Sequence, residues 1–109
     1  MTAEVRTRAH DLALAIRHYL SGEEEAGRLQ AYLVAREAMA QGAGLLEVAT
    51  DHQEALTIVL SGRWAPDDVA RVLDASAELL RESLGPFEMA YRGFQEANET
   101  LVRSDRGAE

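Results

Sequence analysis

The chain has no cysteine, no lysine, only two prolines and no apolar run approaching a membrane span. Each shortage excludes something. Without Cys there are no disulfides and no thiolate zinc sites. Without Lys a phosphate-binding P-loop lacks its cation, and all eleven basic residues are Arg. No alternating Val/Ile/Thr-rich stretch is present, which removes the usual signal for a sheet. Basic residues nowhere cluster and the formal net charge is −8, so a nucleic-acid backbone would be repelled. Arg6 and Arg8 are not followed by an apolar secretory segment, so the expectation is a cytoplasmic chain with no membrane partner.

What is present is helix-forming. Ala is the commonest residue, there is no repeat or low-complexity tract, and 109 residues suit one domain with a single core. The fold class expected is all-α, a four-helix bundle.

The first helix is predicted over residues 3–20, with Val5, Ala9, Leu12, Ile16 and Tyr19 on one stripe and Gly22 just past its end. Ser21 and Glu24 read as a capping box for a second helix over residues 23–41, and Glu23 to Glu25 suit the positive end of its dipole. That helix carries two stripes, Ala26, Leu29, Leu33 and Ala40 beside Tyr32, Ala35 and Met39. So wide an apolar face is open between a central helix buried on two sides and one whose second side meets another protein. Leu29, Leu33, Tyr32 and Met39 are therefore the candidate partner-binding residues.

Gly42 and Gly44 form a turn. A third helix follows over residues 45–60, its stripe Leu45, Val48, Ala49, His52, Leu56 and Val59 placing His52 on the buried side. Pro66 then suits a first helical position, with Asp67 and Asp68 behind it and Trp64 spaced from Val69 as a hydrophobic staple.

The last apolar-periodic run, residues 66–103, advances by threes and fours through Leu73, Leu80, Leu84, Phe87, Tyr91, Phe94 and Leu101, with Ser76 and Asn98 filling the gaps. At about 1.5 Å per residue it reaches roughly 50 Å, about twice any other helix of the chain. Gly85-Pro86 interrupts it, because proline lacks a donor and clashes with the preceding turn, so a kinked last helix is expected. Phe87, Tyr91, Phe94, Asn98 and Leu101 are the candidate dimer seam, in which Asn98 would fix register. The bundle is assigned to residues 1–103, and 104–109 read as a polar, disordered tail.

No catalytic set emerges, and no metal or cofactor site. His10, His18 and His52 include no pair at metal-binding spacing on one helix, no Glu-x-x-His occurs, and the serines lack a nucleophile elbow. The expectation is a chain that is not an enzyme. Two alternatives stay open: a histidine phosphotransfer bundle using His52, which requires an exposed imidazole, and a helical ligand sensor with a pocket between helices.

The segments 35–42 (AREAMAQG), 45–48 (LLEV), 52–56 (HQEAL), 66–69 (PDDV) and above all 82–98 (ESLGPFEMAYRGFQEAN) carry a resemblance. They resemble the amino-terminal domain of RsbU-type stress-response serine phosphatases, over nearly the whole chain, with residues 86–98 the most specific block. The resemblance implies a homodimeric four-helix domain, related in fold to the carboxy-terminal domain of the clock protein KaiA, without activity of its own. It implies docking of an RsbT-like switch kinase on the second helix and the facing part of the fourth, with Leu29 at a contact position. It further implies a helical linker, paired in the dimer, that carries the signal to an output phosphatase in sigma-factor partner switching.

Overall fold

The computed structural model describes residues 7–108, with side chains through residue 103. All regular structure among them is helical: α1 (Arg8–Leu20), α2 (Glu24–Ala40), α3 (Leu45–Leu60) and α4 (Pro66–Ala108). The expected helix start near residue 3 and the stripe position Val5 lie outside the described residues, as does Glu109.

Local chemistry sets these boundaries. Thr7 caps α1, its side chain accepting from the His10 backbone N–H at 3.1 Å. At the other end Gly22 adopts φ +96°, a conformation that glycine enters without steric penalty, and the chain turns into α2. The Ser21–Glu24 capping box does not form. Ser21 is instead the C-cap of α1, its hydroxyl donating to the His18 carbonyl, and α2 starts without a side-chain cap. Gly42 repeats the turn at φ +90°, and Glu47 reaches back to accept from the Gly44 N–H at the start of α3. Pro66 opens α4, where its missing N–H costs nothing, and the Ala65 carbonyl accepts from the Val69 N–H.

α1 packs on the other three helices, while α2 and α3 lie on opposite flanks, each against α1 and α4. The core is one apolar cluster built on Leu12, Ile16, Val59, Val72 and Leu79, filled in by Ala13, Ala15, Ala31, Ala55 and Ala75. α2 contributes a face of small residues. Gly27, Ala31, Ala35 and Ala38 are buried, whereas Ala26, Leu29, Leu33 and Ala40 are exposed, so the first predicted stripe is not the core face. Small side chains let α2 approach α1 closely, and that leaves its leucines at the rim.

The same displacement occurs along α4. Its buried positions are Val72, Ala75, Leu79, Ser83 and Pro86, one residue away from the expected Leu73, Leu80 and Leu84. One residue is about 100° around a helix, so the predicted seam flanks the core rather than entering it. In α3 the buried set is Val48, His52, Ala55 and Val59, with Leu45 and Ala49 exposed. α4 is continuous through Pro86 and runs on to Ala108, across the residues expected as a tail. Its 43 residues make about 65 Å of helix, matching the 67 Å long axis of the molecule.

Candidate functional site

Two apolar surfaces and one buried polar chain stand out from this frame. The first surface lies on α2. Leu29 and Leu33 are 58% and 51% exposed and, with Val34 and Ala26, line a shallow groove of about 570 Å³ against Arg8 and Asp11 of α1. Tyr32 and Met39 are half-buried and do not line that groove. The four candidate partner-binding residues are thus split between two sides of the helix. Beneath them Arg28 stacks over the Tyr19 ring at 5.4 Å, fixing the α1–α2 corner.

The second surface belongs to α4 beyond the bundle. Tyr91, Phe94 and Leu101 are 61%, 72% and 66% exposed, Asn98 is exposed, and Phe87 alone of the predicted seam is half-buried. Leu84, Phe87 and Tyr91 join Leu45 of α3 in an apolar groove of about 370 Å³ at the root of this overhang. Charges sit to the side: Arg92 pairs with Glu88 at 2.8 Å and Arg103 with Glu99 at 3.9 Å. Such exposed pairs stiffen a helix slightly and add little else. An apolar stripe of this kind, left exposed, is a candidate contact face.

The buried polar chain was legible only in part. His52 is buried, as the stripe on α3 predicts, and its Nε2 lies 2.8 Å from the Ser83 Oγ. The Ser83 hydroxyl donates to the Ala31 carbonyl at 3.3 Å. A serine has one proton to give, so Ser83 accepts from the imidazole, which places the His52 proton on Nε2 and leaves Nδ1 a bare acceptor. Among the described residues Nδ1 has no hydrogen-bond partner. Burial pushes the His52 pKa below its ordinary 6.5, against the opposing pull of Asp51. Asp51 is itself paired with Arg8 of α1. A sealed ring with Nε2 engaged presents no nitrogen to a phosphoryl donor.

Ser83 is the residue that sequence reasoning missed. It falls between the predicted seam positions Leu80 and Leu84, and the only signal for it was its four-residue spacing from Leu79. Among the described residues no group of three or more His, Cys, Asp or Glu side chains is placed to hold a metal ion, and no helix is long and apolar enough to cross a membrane. Comparison of the chain with protein families, curated proteins and solved structures found no match.

Proposed function

We propose that this chain is a non-enzymatic regulatory domain that forms a homodimer through the distal half of α4. It docks a switch-kinase-like protein on the exposed side of α2, and passes the resulting change along α4 to a signalling output in bacterial stress-response partner switching. The observation that carries this reading is the overhanging stripe of Tyr91, Phe94 and Leu101, which the bundle leaves in water. Burying such side chains is worth on the order of 2 kcal/mol each, so pairing two copies recovers what the monomer forgoes. The resemblance of residues 82–98 to the RsbU-type domain supports the same use. Gly85-Pro86 divides α4 into a half that completes the bundle and a half that pairs and transmits. Asn98 fixes the register of the pair.

Sedimentation velocity at micromolar concentration tests this. The expected result is a species of twice the monomer mass, and Phe87→Ala combined with Phe94→Ala lowers the association while helix content by circular dichroism is retained. A wild-type chain that sediments as a monomer would refute the dimer. Loss of all helix in the double variant would refute the division of α4.

A further inference from the structure

His52 on α3, Ser83 on α4 and the Ala31 carbonyl on α2 stand at one level of the bundle, linked by contacts of 2.8 and 3.3 Å. This is the one place where a buried hydrogen-bond chain among the described side chains joins three helices. It lies toward the amino-terminal end of α3. The other end of α3 contributes Val59 to the main apolar cluster, beside Val72 and Leu79 of α4, whereas Val48 and His52 are buried outside that cluster. Three residues beyond Ser83, Pro86 has no N–H for the Glu82 carbonyl, so α4 is short of one internal bond just where it leaves the bundle.

The neutral imidazole fits this setting with one nitrogen satisfied. A protonated imidazole has two N–H donors, and the second, on Nδ1, finds no acceptor among the described residues. The charged group acting on the ring is Asp51 of α3 itself, already tied to Arg8 from α1. From α4 the ring meets the neutral Ser83 hydroxyl, which in turn bonds the Ala31 carbonyl of α2. A proton taken from water onto Nδ1 therefore places a charge at the helix junction that the closed packing does not compensate.

We propose that His52 and Ser83 form a proton-operated latch between α3 and α4. With the imidazole neutral the latch is closed. With Nδ1 protonated, the amino-terminal half of α3 separates from α4 at the level of Ser83, Asp51 becomes the partner of the ring, and the α1–α2 pair stays packed. This goes beyond the docking and pairing proposed above and does not depend on either.

The test is amide hydrogen exchange followed by NMR on the full chain from about pH 7.5 to about pH 5.5, corrected for intrinsic exchange, with the His52 imidazole resonances recorded in the same samples. Protection over residues 48–56 and 80–87 should fall by up to about tenfold per pH unit below about pH 6.5, where an exposed imidazole takes up its proton, while residues 12–16 keep theirs. His52→Gln should abolish the pH dependence; should that variant not fold, the wild type decides, by whether protection is lost below about pH 6.5 in residues 48–56 and 80–87 but not in residues 12–16. The proposal is overturned by protection in α1 falling together with that in α3 and α4, by His52 titrating with no change in protection, or by a pH dependence that survives in His52→Gln.

Discussion

Gly27→Ala is expected to destabilise the protein even though it adds a better helix former. Gly27 is buried where α2 crosses α1, and a Cβ there would stand 2.7 Å from the Ala15 carbonyl oxygen and 3.2 Å from both the Cβ and the backbone nitrogen of Tyr19. The closest atom is backbone, so no flexible side chain can swing away and α2 must move. Alanine in place of glycine inside a helix contributes about 0.8–1 kcal/mol. Overpacking a close contact costs about 1–3 kcal/mol. The balance is a loss of up to about 2 kcal/mol, which for a domain of this size lowers Tm by up to about 15 °C. Gly93→Ala is the control, because a Cβ there meets nothing within 4 Å and the propensity gain is unopposed. Thermal and urea unfolding followed by circular dichroism would measure both. A Gly27→Ala variant that melts at or above wild type would refute the close approach of α1 and α2.

Leu79→Ala, at a position with no exposed surface, should cost about 2–5 kcal/mol, whereas Leu29→Ala and Leu33→Ala should each change stability by less than about 0.5 kcal/mol. Comparable losses in urea unfolding would mean that the buried faces of α2 and α4 are misassigned. Stability should also fall with mild acid. Because burial lowers the folded-state pKa of His52 below 6.5, the unfolded chain binds the proton first. The stabilisation is complete above about pH 6.5 and is lost as pH drops toward the folded value. A urea midpoint that stays flat from about pH 7 to about pH 5.5 would contradict that assignment.

The number and type of helices could be read from the sequence because their punctuation is strong: Gly22, Gly42 and Pro66 stand where the chain turns or restarts. The stripe of α1 was equally legible, since Ala9, Leu12 and Ile16 are buried as spaced. The core faces of α2 and α4 were not. Periodicity weighted by side-chain size follows leucines, and in α2 the leucines ring a contact made by Gly27, Ala31, Ala35 and Ala38. The recurrence of small residues at three and four positions was the signal for that contact, and it is weak because alanine also recurs on solvent faces. In α4 two apolar stripes run side by side, so spacing alone selects neither. Burial of His52 followed from its phase in α3, but its bond to Ser83 spans 31 residues and depends on the tertiary approach of two helices.

That α4 is a single covalent rod shared by the core and the overhang has a mechanical consequence. The part beyond Pro86 reaches to Ala108, about 33 Å of helix that meets the bundle at its root, where Phe87 and Tyr91 stand by Leu45. Pivoted at its root, such an arm converts a tilt of about 5° into a tip displacement of about 3 Å, larger than the 1–2 Å shifts by which packed helices commonly signal. The bundle therefore works at the short end of a lever. Whatever its core does at the level of Ser83 and Pro86 is enlarged, not damped, by the time it reaches Leu101.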